Sequence, residues 1–91
     1  MFTGIIESVG KLCQLTKQNE GYRVEIATGK LDLSDVKLGD SIASNGVCLT
    51  VVSKGTQSFC ADVSGETISL TGFSNYAIGQ VINLEKAVTP T

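Results

Sequence analysis

The stretch Ser44-Asn45-Gly46-Val47-Cys48-Leu49-Thr50-Val51 carries the clearest structural signal in this chain. Asn-Gly ahead of an apolar run is a common β-hairpin turn, because both residues tolerate the positive φ angles that the tightest hairpins require. The residues that follow the turn are largely apolar or β-branched, as strand residues usually are. The stretch therefore predicts a β-strand that begins shortly after Gly46.

Glycines divide the rest of the chain in a regular way. The ten glycines fall at intervals of 6 to 11 residues, and short apolar or alternating runs lie between them. Each of these runs predicts a strand: residues 9–17, 22–26, 41–43, 49–53, 58–63 and 81–86. Short strands separated by glycine turns favour a small antiparallel β-barrel, and a closed barrel leaves no sheet edge exposed.

Two segments are expected to add helical turns to this all-β fold, at residues 31–36 and 66–71. A weak internal similarity also links Leu38-Gly39-Asp40-Ser41-Ile42 with Ile78-Gly79-Gln80-Val81-Ile82. In both segments an apolar residue and a glycine precede a strand. We interpret the similarity as two similar strand entries within one barrel and not as a duplication.

Composition limits the classes of protein to consider. Ninety-one residues make a single domain, with 42% hydrophobic and 18% charged residues and a formal net charge of -2. Seven Lys and Arg residues spread along the chain do not form the basic face that nucleic-acid binding requires. No apolar run approaches the roughly 18 residues of a membrane span. No signal peptide is evident at the start, so we expect a cytoplasmic protein.

The inventory of reactive side chains is also restrictive. The chain has no histidine and three cysteines, at Cys13, Cys48 and Cys60. An odd cysteine count without a secretion signal argues against a disulfide framework, and the cysteine spacing does not resemble a zinc site. Without imidazole, Ser-His and Cys-His nucleophiles are excluded. Any chemistry here must therefore proceed without a metal and without histidine.

Three segments, taken together, resemble the amino-terminal half of riboflavin synthase. They are MFTGIIE at residues 1–7, SNGVCLTV at 44–51 and DVSGET at 62–67. The resemblance extends from Met1 to about Ala87. It implies a six-stranded Greek-key barrel over residues 1–87, with 88–91 as a tail or the start of an interdomain linker.

The resemblance also implies a ligand and a reaction. Riboflavin synthase joins two molecules of 6,7-dimethyl-8-ribityllumazine, giving riboflavin and 5-amino-6-ribitylaminouracil, and it needs neither a metal nor an organic cofactor. Holding two identical substrates face to face supplies much of the rate in such a reaction. The implied ligand of this chain is therefore riboflavin or the ribityllumazine.

Site residues follow from the same resemblance. Phe2, Ser41 and Cys48 are associated with catalysis, and residues 62–67 are placed near the ribityl chain. The implied ligand contacts are Gly4, Ile5, Ile6, Cys48, Leu49, Thr50, Asp62, Val63, Ser64, Gly65, Glu66 and Thr67.

Each assignment has a structural alternative. Residues 5–6 could simply pack in the barrel, and Cys48 could be a small buried hydrophobe. Thr50 could be present for its strand propensity, and Ser41 could be a solvent-facing hydroxyl. Residues 62–67 could form a solvated turn that leads into a capped helix.

This chain holds one barrel, whereas riboflavin synthase has two similar barrels. We therefore expect ligand binding by this chain without efficient turnover, a homodimer of the isolated domain, and a trimer of two-domain chains for the parent enzyme. A non-catalytic lumazine or flavin carrier of the fluorescent antenna type is the alternative. Thr3, where a lysine is expected in those carriers, favours the synthase. A generic small barrel without a ligand is a further alternative.

Overall fold

Six antiparallel strands form the protein, and their bounds follow closely from the glycine-separated runs of the sequence. The computed structural model describes residues 8–18 and 20–87, apart from the side chain of Ser74. The strands are β1 (Ser8–Gln18), β2 (Gly21–Ala27), β3 (Ser41–Ser44), β4 (Val47–Lys54), β5 (Ser58–Ser64) and β6 (Val81–Lys86). All six predicted strands are confirmed, with ends that differ by at most two residues.

The strands close into a barrel in the order β1-β2-β5-β4-β3-β6, and every neighbouring pair is antiparallel. Strands β3, β4 and β5 are consecutive neighbours, and β6 returns to lie beside β3, which is a Greek-key arrangement. The predicted all-β Greek-key barrel is therefore confirmed. The barrel is closed because β6 pairs with β1, so the sheet has no edge strand.

The Asn-Gly signal marks the β3–β4 hairpin, as predicted. Ser44 pairs with Val47, so Asn45 and Gly46 form a two-residue loop. Their φ angles are 51° and 82°. Positive φ at both central residues is the condition of a type I′ turn, whose twist suits a right-handed twisted hairpin.

Alternating side chains of the strands fill the barrel interior. Val24 and Ile26 of β2 are fully buried, while Glu25 between them is not, as the alternation predicted. Phe59 and Phe73 are the largest fully buried side chains. The buried cluster consists of Leu12, Val24, Ile26, Leu31, Leu33, Val36, Ile42, Leu49, Val51, Phe59, Ala61, Val63, Ile68, Phe73, Ile82 and Leu84.

The helical turn predicted at residues 31–36 is wrong. This segment contains a turn at Ser34 and Asp35 but no helix. The carboxylate of Asp32 accepts hydrogen bonds from the Ser34 N–H at 2.9 Å and the Ser34 hydroxyl at 3.0 Å. Such local side-chain bonds compete with helix formation. They also lower the pKa of Asp32, the backbone bond more than the hydroxyl bond.

Lysines from two strands hold this segment against the barrel. Lys54 Nζ donates to the carbonyl oxygen of Leu33 at 2.6 Å, and Lys86 Nζ donates to that of Asp32 at 2.9 Å. Lys86 Nζ also lies 3.1 Å from a carboxylate oxygen of Asp35. Leu31 and Leu33 can therefore cover the core without a helix to order them.

The helical turn predicted at 66–71 is confirmed as helix α1 (Gly65–Thr71), which ends at Gly72 with a φ of 81°. Ile68 is its buried residue. A 3₁₀ turn, Phe73–Asn75, follows directly, and the Phe73 and Tyr76 rings lie 4.6 Å apart between centroids. This connection from β5 to β6 therefore packs one helical face and one aromatic pair onto the barrel.

The internal sequence similarity corresponds to two equivalent turns. Before β3, Gly39 N donates to Val51 O and Val51 N donates to Asp40 O, each at 2.9 Å. Before β6, Gly79 N donates to Leu12 O at 2.7 Å and Leu12 N donates to the Gln80 carbonyl at 2.9 Å. Both segments are thus strand entries with the same pair of bonds, as interpreted from the sequence.

Residues 8–18 and 20–87 lack two features, a membrane-spanning helix and a metal-binding cluster. In that part of the chain, no helix has both the length and the apolar character needed to cross a membrane. The same residues contain no group of three or more His, Cys, Asp or Glu side chains arranged to hold a metal ion.

Candidate functional site

Strands β4 and β5 are neighbours in the barrel, but they pair over only part of their length. Their ladder begins at the pair Lys54–Phe59 and ends at the pair Val51–Ala61. Beyond that point, residues 47–50 pair with β3 and residues 62–64 pair with β2. Within the described chain, these two segments therefore border a cleft in which no strand pairing joins them.

On the β4 side, the hydrogen bonds of Val51 define which way the backbone points. Both main-chain polar groups of Val51 bond to the turn before β3. Because main-chain groups of successive strand residues alternate in direction, those of Cys48 and Thr50 point the other way, into the cleft. The direction of the Ser41 carbonyl is consistent with this orientation. Ser41 lies opposite Thr50, and its carbonyl oxygen points away from β4 and accepts from Ala87 N at 3.2 Å on the β6 side.

On the β5 side, the same alternation applies. Val51 bonds toward β3, so its pairing with Ala61 carries no mutual hydrogen bonds, and Ala61 directs its main-chain groups toward β2. The Val63 carbonyl oxygen also points toward β2, where it lies against Gly21. Asp62 and Ser64 therefore direct their N–H and C=O groups into the cleft.

The cleft thus has two facing backbone edges, at Cys48 and Thr50 on one wall and at Asp62 and Ser64 on the other. Backbone N–H and C=O groups need partners, and no strand within residues 8–18 and 20–87 supplies them across this cleft. A planar ring with alternating donors and acceptors along its edge matches such groups. We refer to this region, residues 47–50 and 62–64, as the β4–β5 cleft.

Side chains on the β4 wall divide by face. Cys48 and Thr50 are exposed on the same outer face, as the strand period predicted, so Cys48 is not the buried hydrophobe of the alternative interpretation. Leu49 is 2% exposed, so its side chain faces the core, and its main-chain groups point toward β3, where it pairs with Ile42. Ser41 is half-buried beside Thr50. Cys13, Cys48 and Cys60 are free thiols.

The β5 wall continues into the first turn of α1. Ser64 is the helix N-cap: its hydroxyl oxygen accepts from Thr67 N at 3.1 Å, and its O–H donates to Thr67 Oγ1 at 2.9 Å. Glu66 is the acidic residue of that turn, where a carboxylate is favourable. The capped-helix interpretation is therefore correct for this segment, and Val63, at 4% exposure, faces the core.

Asp62 has a cross-strand partner that sequence reasoning missed. Arg23 lies opposite it on β2, and the guanidinium donates from Nε at 2.7 Å and Nη2 at 3.1 Å. These bonds lower the pKa of Asp62, and the bond to Asp62 raises the pKa of Arg23. Only the strand register brings these two residues together, and no local sequence signal predicts it.

A surface groove of about 750 Å³ lies along the other side of β5. It is formed where the end of the β1–β2 hairpin meets the last residues of β5. A second groove of about 390 Å³ continues from the hairpin to α1. The residues that line the larger groove are Gln18, Glu20, Gly21, Tyr22, Asp62, Val63 and Ser64. Among these, the hairpin residues were not predicted from the sequence.

The structure thus gathers two groups of predicted residues around one cleft, Ser41 and 48–50 on one side and 62–67 on the other. Phe2, Gly4, Ile5 and Ile6 lie outside the described residues. None of these observations tests which side chains contact a ligand, so the site assignments stay predictions.

A barrel with two strand edges that no described strand joins, beside a capped helix, is an arrangement suited to binding a small molecule. Comparison with known families makes the class specific. The family model described as "Lumazine binding domain" matches residues 3–87, and the chain belongs to this family.

Curated relatives agree with this assignment. The chain is 53% identical over its full length to riboflavin synthase of Photobacterium phosphoreum and 52% identical to that of Photobacterium leiognathi, covering 42% of each. It is 42% identical to riboflavin synthase of Bacillus subtilis over 97% of the chain, covering 40% of that protein. The chain therefore spans about two-fifths of the length of these relatives and corresponds to the amino-terminal half of riboflavin synthase.

Proposed function

We propose that this domain binds one molecule of 6,7-dimethyl-8-ribityllumazine or riboflavin in the β4–β5 cleft. The observation that carries the proposal is the pair of strand edges at 47–50 and 62–64 that no strand within residues 8–18 and 20–87 pairs across the cleft, in a chain that belongs to the lumazine binding domain family. The pyrimidinedione edge of both ligands presents an acceptor, a donor and an acceptor in sequence. Main-chain groups of Cys48 and Thr50 on one wall, and of Asp62 and Ser64 on the other, suit such an edge. Gly4, Ile5 and Ile6 are proposed as further ring contacts.

The polyol tail of the ligand is proposed to lie toward the helix end of the cleft. The polar groups there are those of Asp62 and of the first turn of α1, with Gly65, Glu66 and Thr67. Hydroxyls of a ribityl chain need matched partners, because each unmatched polar group costs free energy on desolvation. Arg23 leaves Asp62 ionised and holds its carboxylate in one orientation.

Fluorescence titration with riboflavin tests the binding proposal. We expect saturation at one equivalent per chain at micromolar protein. Thr50→Val keeps the β-branched shape and removes the hydroxyl, so it reports whether that group contacts the ligand. Ser53→Ala, an exposed hydroxyl farther along β4, is the matched control. No binding to the unmodified chain at high micromolar concentration would contradict the proposal.

We also propose that the full-length parent protein is a riboflavin synthase, which dismutates two ribityllumazines into riboflavin and 5-amino-6-ribitylaminouracil without a cofactor. The names of the relatives support this. Phe2, Ser41 and Cys48 are the proposed residues near the reacting atoms. A cytoplasmic location and a trimer of two-domain chains are proposed for the parent.

For the chain by itself we propose a symmetric homodimer, the commonest closed assembly. Exposed apolar residues on adjacent strands support it: Val9 of β1 is 53% exposed and Val81 of β6 is 49% exposed. Covering such side chains on association is favourable.

A further inference from the structure

The turn that begins β4 is held by a network that the proposed ligand contacts do not include. Asn45 N donates to the Asn83 carbonyl at 2.8 Å, and its side-chain Oδ1 accepts from Asn83 N at 2.6 Å. Asn45 Nδ2 donates to the Tyr76 hydroxyl at 3.1 Å. The first two bonds extend the β3–β6 ladder one step beyond its last pair, Ser44 and Leu84.

Tyr76 connects this turn to the chain segment that follows the β5 wall of the cleft. It lies at the end of the chain segment that leaves β5, forms α1 and passes through the 3₁₀ turn. Its ring is partly buried against the core and lies 4.6 Å from that of Phe73, which is fully buried. The bond from Asn45 to Tyr76 therefore joins the β3–β4 hairpin to the β5–α1 segment.

The hairpin needs such a restraint. Among residues 8–18 and 20–87, the partner strand of residues 47–50 is β3, which is just four residues long. Within that part of the chain no strand bonds along the cleft side of β4, and a segment paired along one side opens more easily than one paired along both. The Asn45 bonds oppose this opening at the hairpin tip.

We infer that Asn45 and Tyr76 are positioning residues for the ligand. They hold the main-chain groups of Cys48 and Thr50 at the distance from β5 that a bound ring requires. The inference rests on the proposed function, and it assigns to Asn45 a role beyond its turn conformation. A conformational role by itself would be satisfied by glycine, which adopts positive φ without strain.

Three substitutions separate positioning from folding. Tyr76→Phe keeps the ring contact with Phe73 and removes the hydroxyl, and Asn45→Gly keeps the positive φ and removes both side-chain bonds. Asn45→Asp can still accept from Asn83 N and can accept from the Tyr76 hydroxyl, so it is the conservative rescue. Ser34→Ala, which removes one side-chain hydrogen bond in the loop between β2 and β3, is the control.

Riboflavin dissociation constants and amide hydrogen exchange at Cys48 and Thr50 are measured for each folded variant. We expect the dissociation constant to rise about two- to tenfold in Tyr76→Phe and further in Asn45→Gly, with faster exchange at both amides. Asn45→Asp should restore most of the affinity, and Ser34→Ala should match the wild type. The double variant should lose less than the two single losses combined, because both remove one shared bond.

Unchanged riboflavin affinity and unchanged exchange in Asn45→Gly and Tyr76→Phe, with only a lower unfolding midpoint, would overturn the positioning role and leave the binding proposal intact. Failure of the wild-type chain to bind riboflavin would overturn the proposed function and this inference with it.

Discussion

At the scale of single residues, Gly10 shows how closely the barrel strands approach one another. A Cβ at this position would overlap the Ala27 carbonyl oxygen and lie 2.9 Å from Leu84 Cδ1. The first is a backbone atom of β2, so it cannot rotate away. Gly10 is therefore required by the packing of β1 between β2 and β6, even though its own φ angle is not positive.

Gly10→Ala is expected to destabilise the domain by about 1–3 kcal/mol or more, because overpacking forces backbone shifts. Gly55→Ala is the matched control, since the nearest atom to its Cβ would be Ser58 Oγ at 3.7 Å. Urea unfolding measures both. Equal midpoints for the two variants would contradict the close approach of β1 to β2.

At the scale of elements, α1 is too short to be stable without help. Isolated helices shorter than about 12 residues are marginal in water, and α1 has seven residues. Its support comes from the Ser64 cap, the αL residue Gly72 and the burial of Ile68. Because Ser64 caps the helix and also lies at the end of the β4–β5 cleft, the stability of this helix and the geometry of that end of the cleft are connected.

Ser64→Ala is expected to lower the free energy of unfolding by about 0.5–2 kcal/mol, the usual cost of losing an N-cap. Ser64→Asp should keep most of the stability, because aspartate also caps helices well. Urea unfolding at pH 7 compares the two. A loss in Ser64→Asp as large as in Ser64→Ala would show that the hydroxyl acts here through something other than capping.

At the scale of the whole molecule, two equivalent positions in the barrel differ in strand pairing. The turn before β6 bonds to Leu12 in β1, and the equivalent turn before β3 bonds to Val51 in β4. Past Leu12, the β1–β2 ladder continues to the pair of Lys11 and Ala27. Gly29, just after β2, also approaches β1 closely, since a Cβ there would lie 2.6 Å from Val9 O. Past Val51, the β4–β5 ladder stops. The structure therefore opens a cleft between β4 and β5 and closes the equivalent position between β1 and β2.

The presence of one such cleft within residues 8–18 and 20–87 has a consequence for catalysis. Two lumazines must meet with reacting atoms about 3–3.5 Å apart, and a misplacement of about 1 Å can cost on the order of a hundredfold in rate. We expect this chain to bind ribityllumazine but to form riboflavin far more slowly than a two-domain synthase, even as a homodimer. Riboflavin formation followed by absorbance tests this. Turnover equal to that of a two-domain enzyme would contradict it.

The sequence by itself determined the strands, the Asn-Gly hairpin, the barrel class and the family. The strands, the hairpin and the barrel class follow from local signals: side-chain alternation, glycine spacing and the Asn-Gly turn. The family follows from the resemblance carried by residues 1–7, 44–51 and 62–67 together. The helical turn at 31–36 was wrong because Asp32 bonds to Ser34, a competition that apolar spacing does not reveal.

Only the tertiary structure decided where the β4–β5 ladder stops, which strand edges face the cleft, and that Arg23 holds Asp62 and Asn45 bonds Tyr76. The partners in these pairs lie 39 and 31 residues apart. Their meeting depends on register and barrel closure. A shift of one residue in the register of β5 against β2 would turn Asp62 to the opposite face and break its contact with Arg23.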